Sequence, residues 1–450
     1  MAARYEPYQD YKNTSVDDIG LIPMHWQAMK VNFLFSFGRG LNITKANLQA
    51  SGIPCVNYGE VHSKYGFELD PARHSLSYVA DSYIESSSNS LIRRGDFVFA
   101  DTSEDIDGVG NFTQLVGEEE VFAGYHTMIL RPKTGNHSRF LAYAFDSLEC
   151  RNQIRQMVKG VKVFSITQEI LKNVVLPLPE FEEQRIIADF LDHETFLIDQ
   201  LIAKQQRLIE LLREKTQAVI SHAVTKGINP NAPMKDSGLD WRGEVPEHWR
   251  ETKIRWLFKQ RKRQGFPELE VLSVYRDFGV IVKSTRDDNN NKTPENLNTY
   301  QLVNVSDLVV NKMKAWQGSL GVSKVEGITS PDYVVYAATH DECDQFLHYL
   351  FRSSSMPKVY RSISNGIRPS QWRLEPERFE RLPVFIPPNS EQKQIVEFID
   401  RELSVIDQMS SQCAKAISLM NERRTALISA AVTGKIDVRN WSPPIQEPAA

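Results

Sequence analysis

The chain has 450 residues, of which 41% are hydrophobic and 24% charged, and its formal net charge is −4. This length exceeds what one hydrophobic core usually serves, so two or three domains are expected. No apolar run approaches the roughly 18 residues that a membrane-spanning helix needs, and the polar N-terminus does not resemble a signal peptide. The four cysteines are far apart, which argues against a disulfide framework or zinc ribbon and favours the cytoplasm.

The first motif along the chain is GLIPMHW, Gly20–Trp26, and it recurs as GEVPEHW at Gly243–Trp249. Each position of the second copy lies 223 residues after its counterpart (243 minus 20), and the same register links KVNFLF at Lys30 with KIRWLF at Lys253. A register kept over this length indicates an internal repeat. The motif contains a recurring His-Trp pair, which we interpret as a packing and capping element in preference to a catalytic site.

A second pair of similar segments ends each half of the chain. Residues 183–200 resemble residues 391–408, at a separation of 208 (391 minus 183), and both copies follow an apolar, proline-rich strand. Their 3-4 apolar spacing predicts two helices of roughly 40 residues, about 60 Å long, that pack antiparallel as a spacer. The alternative is that each helix packs on its own domain. The predicted packing positions are Ile187, Leu191, Ile198, Leu201, Leu208, Leu212, Ile395, Ile399, Ile406, Met409, Met420 and Leu427.

The segments between these repeats differ in sequence but share the signals of mixed α/β structure. Strand-like runs such as DFVFA at Asp96–Ala100 and YVVYA at Tyr333–Ala337 alternate with turn residues and short amphipathic helices. This pattern divides the chain into successive segments. They are an N-terminal segment with GLIPMHW (1–29), a first variable domain (30–178), a central helix region (179–228), a linker with GEVPEHW (229–252), a second variable domain (253–386), a C-terminal helix region (387–436) and a flexible tail (437–450).

The sequence carries binding signals but no catalytic signature. It contains no phosphate-binding P-loop, no HExxH zinc motif and no complete EF-hand. By contrast, RETKIRWLFKQRKR at Arg250–Arg263 holds seven basic residues, and the slots 151–172 and 352–373 are basic in both halves. Lysine and arginine there would neutralise DNA phosphates while neighbouring side chains read base edges. The alternative interpretation is a solvated charged face.

This layout resembles the specificity subunit of type I restriction-modification systems, in which two variable target-recognition domains alternate with two similar helical segments. PLPEFEEQRIIADFLD and FIPPNSEQKQIVEFID resemble the start of the family's spacer helices. LSVYRDFGV and NKMKAWQGSLGVS resemble one type of recognition domain, and GRGLNITKANL with VNYGEVHSKYG resembles another. The resemblance implies an α/β (mixed α+β) fold, with two globular recognition domains separated by two long antiparallel spacer helices in a pseudo-twofold repeat.

The resemblance also implies a non-catalytic, sequence-specific DNA-binding subunit that recognises a bipartite target in double-stranded DNA. The implied partners are two copies of a modification (methyltransferase) subunit and a restriction/translocase subunit, without a membrane. No cofactor is expected on this chain, since S-adenosylmethionine, ATP and Mg would serve adenine methylation and DNA cleavage on those partners. The alternatives are a scaffold protein with a coiled-coil rod and no DNA reading, and a nuclease with a diffuse active site.

Candidate DNA-binding residues are basic, polar or aromatic residues in the loops of the two recognition domains, and some Arg or Lys among them is expected to contact guanine. They are Arg39, Asn42, Lys45, Lys64, Lys159 and Lys162 in the first domain, and Tyr275, Arg276, Lys312, Lys314, Trp316, Arg368 and Gln371 in the second. Pro23, Trp26, Pro246 and Trp249 are expected to form a stiff, packed hinge that aims each domain at its half-site. No catalytic residue or metal ligand is expected.

Overall fold

The structure, a computed structural model, describes residues 5–158, 160, 162–286, 293–368 and 371–443. The chain folds as two compact units: the first combines Met1–Lys204 with Ala416–Ala450, and the second is Gln205–Lys415. Each unit therefore holds one predicted recognition domain together with part of each predicted helix region. Within the described ranges, no helix is both long enough and apolar enough to cross a membrane.

The first unit is built around a five-stranded sheet of order β4-β13-β9-β11-β6 and a four-stranded sheet of order β7-β5-β12-β8. Two-stranded pairs β1-β2, β10-β14 and β15-β3 complete it. Its strands are β1 Tyr11–Asn13, β2 Leu21–Pro23, β3 Gln27–Lys30, β4 Phe35–Arg39, β5 Ile53–Val56, β6 Phe67–Leu69, β7 Ser77–Val79, β8 Leu91–Ile92, β9 Phe97–Ala100, β10 Thr102–Ser103, β11 Phe112–Leu115, β12 Val121–Ala123, β13 Thr127–Pro132, β14 Phe164–Ser165 and β15 Val175–Leu178. Its short helices are α1 Val31–Leu34, α2 Tyr58–Ser63, α3 Tyr83–Ser87, α4 Ser138–Asp146, α5 Leu148–Met157 and α6 Gln168–Asn173.

The second unit has a four-stranded sheet of order β19-β26-β23-β24 and the pairs β16-β17, β18-β29, β20-β21, β22-β25 and β27-β28. Its strands are β16 Met234–Asp236, β17 Glu244–Pro246, β18 Arg250–Lys253, β19 Phe258–Gln260, β20 Leu272–Tyr275, β21 Gly279–Val282, β22 Gln301–Val303, β23 Leu308–Asn311, β24 Leu320–Val322, β25 Gly327–Thr329, β26 Tyr333–Ala338, β27 Ser364–Asn365, β28 Arg373–Leu374 and β29 Pro383–Ile386. Its short helices are α8 Ile254–Leu257, α9 Asp344–Arg352, α10 Met356–Ser362 and α11 Pro376–Glu380.

Two long helices supply segments to both units: α7 is Phe181–Lys226 and α12 is Asn389–Val432. In the first unit, the early part of α7 and the late part of α12 share one hydrophobic core. In the second unit, the late part of α7 shares a core with the early part of α12. Opposite ends of the two helices therefore meet in each core, which agrees with the predicted antiparallel spacer helices and confirms the mixed α/β fold.

Three of the predicted helix-packing positions are exposed within the chain. Leu201, Leu208 and Met409 have 47%, 36% and 42% of their surface exposed, so they do not pack in either core. At 100° per residue, Leu201 and Leu208 lie about 40° and 60° to one side of Ile187 on α7, so the 3-4 spacing includes positions at the border of the buried face. Met420 packs half-buried against the first core. The buried predicted positions are Ile187, Leu191, Ile198, Leu212, Ile395, Ile399, Ile406 and Leu427.

One carboxylate at the start of α7 holds the opening motif of the first unit. Glu183 Oε1 accepts hydrogen bonds from Trp26 Nε1 at 3.1 Å and from the Tyr8 hydroxyl at 2.7 Å. Its Oε2 lies 2.9 Å from His25 Nε2. Trp26 and Glu183 are both buried, so this network belongs to the core of the unit.

The second unit repeats the arrangement with Glu391 of α12. Trp249 Nε1 donates to Glu391 Oε1 at 3.1 Å, and Glu391 Oε2 lies 2.7 Å from His248 Nε2. Trp249 is also buried. The recurring His-Trp pair is thus a packing element in both units, and its partner is the glutamate that recurs at the start of both long helices.

The late part of each long helix serves equivalent positions in the two units. In the first unit, the backbone N–H of Leu148 donates to the Ser429 hydroxyl of α12 at 3.1 Å. In the second unit, the backbone N–H of Ser354 donates to the Ser221 hydroxyl of α7 at 2.8 Å. Ser221 and Ser429 are 208 residues apart (429 minus 221), the same separation as the helix starts. The two units therefore make the same hydrogen bond at equivalent positions, although different parts of the chain build them.

A left-handed glycine follows each long helix, at Gly227 with φ of 76° and at Gly434 with φ of 71°. The Tyr11 hydroxyl donates to the Gly434 carbonyl at 3.0 Å. A Cβ atom at position 434 would lie only 2.3 Å from Pro23 Cδ, whereas at position 227 the nearest atom would be Glu391 Oε1 at 3.4 Å. The opening motif of the first unit is therefore seated directly on the end of α12.

The sequence predicts a flexible tail at 437–450, but the first residues of this segment pack against the first unit. The Asp437 N–H donates to the Glu6 carbonyl at 2.8 Å, Val438 is buried, and the Trp441 ring lies 5.7 Å from Phe190. These contacts hold residues 437–443 against the first unit. Two isolated apolar residues have no periodic pattern, so the sequence did not predict this packing. Residues 444–450 lie outside the described part of the chain.

Candidate DNA-contacting surfaces

One edge of the main sheet in the first unit gathers several loops. Strands β4 and β9 end at this edge and β13 begins there, because Arg39 pairs with Met128 and Ala100 pairs with Thr127. The chain reversals at these strand ends bring distant parts of the sequence together. We call this surface the first rim. Its residues are Arg39–Asn42, Tyr58, Asp101, Tyr125 and His126.

The first rim carries a cluster of aromatic rings. The Tyr58 ring lies 5.7 Å from Tyr125 and 5.4 Å from His126, both in edge-on contact. His126 has φ of 55°, a left-handed conformation that is uncommon outside glycine. Its carbonyl accepts a hydrogen bond from the Asp101 N–H at 3.1 Å. These contacts hold the three rings together at this edge of the sheet.

The described basic and polar candidates of the first domain all have exposed side chains. Arg39 and Asn42 belong to the first rim, and Lys45 begins the 3₁₀ turn that follows Asn42. Lys64 comes directly after α2, the helix that starts with Tyr58. Lys162 is exposed two residues before β14, whereas Lys159 lies outside the described residues.

Part of the predicted basic slot at 151–172 is used inside the domain. Arg151 Nη2 lies 2.9 Å from Asp146 Oδ1, and Arg155 Nη2 donates to the Asp107 carbonyl at 3.0 Å. These arginines tie α5 to neighbouring elements. A charge count along the sequence therefore overstates the free positive charge of this slot.

The second unit has a corresponding edge, where β19 and β23 end and β26 begins, with Asn311 paired to Tyr333. A cleft of about 920 Å³ opens here between the β20-β21 hairpin and the loop that follows β23. We call the lining of this cleft the second rim. Its residues include Tyr275, Arg276, Phe278, Lys283, Arg286, Asn311, Met313, Lys314, Gln317, Asp332 and Tyr333.

Three predicted residues, Tyr275, Arg276 and Lys314, meet in this cleft. Arg276 and Lys314 are exposed. The Tyr275 hydroxyl is buried and has no hydrogen-bond partner among the residues that the structure describes. The Arg286 guanidinium lies 4.6 Å from the centre of the Phe278 ring. The cleft therefore combines positive charge, aromatic surface and an unsatisfied hydroxyl, a group that normally finds a partner when buried.

Trp316 has a packing role in the loop beside the cleft. Its Nε1–H donates to the Met313 carbonyl at 3.0 Å, and its ring meets Trp372 at 5.2 Å. The Arg361 guanidinium covers Trp372 at 4.6 Å. The indole N–H is therefore already used within the loop, and Trp316 packs there against Trp372.

Lys312, Arg368 and Gln371 lie beyond the cleft lining. Lys312 is half-buried, and burial, followed by the nearby Arg373 charge, lowers the pKa of its ammonium group. Arg368 and Gln371 are exposed in the connection between β27 and β28, and the Gln371 N–H donates to the Arg368 carbonyl at 2.8 Å.

Sequence reasoning did not select Tyr125, His126 or Phe278. Single aromatic residues in loops have no periodic signal, and only the sheet topology brings them to the rims. One local signal was present: Tyr125 follows Gly124 and Phe278 precedes Gly279, and an aromatic residue beside a glycine is common where a turn presents a side chain.

The long helices expose a second apolar stripe. On α7, exposed leucines occur at 197, 201, 208 and 211, which fall within about 80° of arc at 100° per residue. On α12 the equivalent exposed positions are occupied by valine, methionine and leucine, each 208 residues later (for example 405 minus 197). We call these residues the outer stripe. They are Leu197, Leu201, Leu208 and Leu211 on α7, and Val405, Met409 and Leu419 on α12.

Comparison with known proteins supports a single assignment. Residues 23–213 match the family model of the type I restriction modification DNA specificity domain. The chain is 21% identical to the type I restriction enzyme EcoKI specificity subunit of Escherichia coli K12, over 93% of this chain and 90% of that protein.

Solved structures share the fold. The HsdS subunit from Thermoanaerobacter tengcongensis superposes with a TM-score of 0.51 at 16% identity, covering 92% of this chain and 98% of that one. A chain from a study of complex assembly and conformational transition of the type I R-M system gives a TM-score of 0.64 at 15% identity, covering 92% and 99%. By the family match, the alignment over most of both chains and the doubled architecture, this chain is similar to the specificity subunits of type I restriction-modification systems.

Proposed function

We propose that this protein recognises a bipartite sequence in double-stranded DNA and directs the methyltransferase and restriction subunits of a type I complex to it. This proposal rests on one observation. The two units share equivalent hydrogen bonds, and each has a rim at the corresponding edge of its sheet. Sequence-specific proteins read split sites by holding two recognition surfaces at a fixed separation. The match of residues 23–213 to the family model of a DNA specificity domain supports the same function.

The two half-sites are expected to differ in sequence. The first rim offers Arg39, Tyr58 and His126, whereas the second offers Tyr275, Arg276 and Lys314 at a cleft. Because different side chains prefer different base edges, a chain with two unlike rims reads an asymmetric target. The repeated framework would set the distance between the halves, and the bases between them would go unread.

The outer stripe supports docking of two modification subunits along the helices. Isolated exposed apolar residues are ordinary, but an aligned apolar stripe marks a contact surface. Its recurrence on α7 and α12 at a separation of 208 residues fits one partner type bound twice. Catalysis then resides on the partners, which bind S-adenosylmethionine, ATP and Mg, and this chain supplies recognition only, in the cytoplasm.

The test is DNA binding by the assembled complex over a range of salt concentrations, with two matched lysine variants. Lys314→Gln removes a charge at the second rim, whereas Lys324→Gln removes one after β24 at the opposite end of the same sheet. We expect K314Q to weaken DNA binding and to lower the salt slope by about one counterion, with K324Q unchanged.

Sequencing the methylated positions in genomic DNA from cells that contain the complex would give the target directly. A split sequence with an unread spacer is the expected result. Salt-independent or undetectable DNA binding by the wild-type complex would instead favour the scaffold alternative, and DNA cleavage by the isolated chain with Mg would favour a nuclease.

A further inference from the structure

Helix α9 lies behind the cleft of the second unit and presents two side chains one turn apart, His348 and Arg352. The His348 ring fills the space beside two glycines. A Cβ atom at Gly279 would lie 2.6 Å from His348 Cε1, and one at Gly321 would lie 3.1 Å from it. The imidazole Nδ1–H donates to the Val322 carbonyl at 3.2 Å. The helix therefore touches both the β20-β21 hairpin and β24.

Arg352 joins the same two segments by hydrogen bonds. Its Nη1 donates to the carbonyls of Tyr275 at 3.3 Å and Leu320 at 2.9 Å, with Gly318 at 3.5 Å. Its Nη2 donates to the carbonyl of Arg276. Tyr275 and Arg276 belong to one wall of the cleft, and Gly318 and Leu320 follow the Lys314 loop of the other wall. One guanidinium group thus bridges the two walls.

We propose that Arg352 is a positioning residue that sets the geometry with which the second rim reads its half-site. This inference rests on the proposed DNA-recognition function. The guanidinium N–H groups are directed to main-chain carbonyls, so Arg352 acts through Tyr275, Arg276 and Lys314 and not by touching DNA itself. Base readout depends on hydrogen-bond geometry, so a wall that shifts by an ångström loses discrimination before it loses phosphate attraction.

Arginine suits this position because its planar guanidinium carries five N–H donors in a fixed fork. Lysine keeps the charge but has one nitrogen in place of the fork, so it cannot reproduce together the bonds that Nη1 and Nη2 of Arg352 make. Burial lowers the pKa of Arg352. The nearby carboxylate of Asp277, at the turn of the hairpin, opposes this effect and favours the protonated guanidinium.

In the described part of the first unit, a different residue occupies the equivalent position. The pairs Tyr143 with Tyr349 and Ser147 with Ser353 define an offset of 206 between α4 and α9 (349 minus 143), since each pair makes the same hydrogen bonds. The same offset places Asp146 at the position of Arg352 (352 minus 206). Asp146 instead accepts ion pairs from Arg151 and Arg424. Loss of Arg352 is therefore expected to affect only the second half-site.

The experiment compares Arg352→Lys, Arg352→Met and the control Arg378→Met in the assembled complex. Arg378 is exposed on α11 and pairs with Glu375. Binding is measured for the target DNA and for DNAs with one base pair changed in either half. We expect R352K and R352M to reduce discrimination at the second half by roughly tenfold or more, a size typical of one good base contact. Discrimination at the first half and the R378M control should be unchanged.

A purely structural arginine predicts a different result. Binding to all DNAs would then weaken in parallel as the unit unfolds, with the discrimination ratio intact, and this would overturn the proposal. Hydrogen exchange over 272–282 and 312–322 provides a second readout. Folded R352K is expected to exchange faster there, and a folded R352K with unchanged discrimination would also overturn it. Absence of sequence preference in the wild type would instead refute the proposed function.

Discussion

Glu183 and Glu391 explain why a His-Trp pair occurs twice in this sequence. Each carboxylate accepts the indole N–H of the opening motif and contacts the imidazole beside it. A buried tryptophan N–H needs an acceptor, and a carboxylate at a helix start is also favoured by the helix dipole. The motif and the helix start are therefore two parts of one structural contact.

The glycines that end the long helices give the first prediction. Gly227→Ala should cost about 1–2 kcal/mol, because alanine is strained in the left-handed region. Gly434→Ala should cost roughly 1–3 kcal/mol more, since its Cβ would lie 2.3 Å from Pro23 Cδ. Denaturant unfolding, with hydrogen exchange to assign the loss to one unit, measures both. Equal losses would show that the opening motif does not press on the end of α12.

His348 gives a second prediction, on how the stability of the second unit depends on pH. Burial lowers its pKa to about 4, whereas an unfolded histidine titrates near 6.5. Between these values the unfolded chain binds more protons than the folded chain, so the stability of the second unit falls as the pH is lowered from about 6.5 to 4, by up to about 3 kcal/mol in all.

Unfolding of His348→Gln and of the control His222→Gln over this pH range tests the prediction. His222 is exposed on α7. The expected outcome is a shallower pH dependence for H348Q than for H222Q. The same dependence in both variants would mean that other groups cause the acid sensitivity.

The long helices carry two different apolar faces, one buried and one exposed. Leu201→Glu and Met409→Glu change the outer stripe, so each should leave the stability of the chain within about 0.5 kcal/mol. Each should also weaken binding of the modification subunit at least tenfold, because a charge enters an apolar contact.

Ile198→Ala is the matched change on the buried face. Ile198 lies in the first core, so this substitution should cost about 2–5 kcal/mol of stability. Calorimetric or light-scattering titration of the subunits together with thermal unfolding separates the two effects. If L201E and M409E assemble normally, the outer stripe is not the docking surface.

The elements show what the sequence could and could not predict. Apolar spacing and internal similarity predicted both long helices, since these signals are local. The same spacing placed Leu201 on the buried side, because it cannot tell a core face from a second apolar face. The bridging role of Arg352 could not be predicted from the sequence for another reason. Its acceptors are backbone carbonyls, which every residue has. The rims depend on which strands end together, and that follows from topology.

At the scale of the whole molecule, recognition should be modular. Exchanging residues 30–172 for the corresponding domain of a type I specificity subunit, with both long helices kept, should change only one half of the recognised sequence. Each unit has its own cores and its own rim, so the unchanged unit keeps its contacts. Sequencing the methylated sites of cells that carry the hybrid measures the outcome, and a change in both halves would contradict modularity.

Because each long helix contributes one end to each unit, the two units are completed at different times during synthesis. The second unit is one continuous stretch, Gln205–Lys415, whereas the first needs Ala416 and the residues after it. Leu427, Ile428 and Val432 pack in the same core as Trp26. A ribosome makes Trp26 some four hundred residues before those partners (427 minus 26). The unit that is translated first is therefore the last to be completed, and until then the nascent chain exposes the apolar surface that α12 covers in the folded unit.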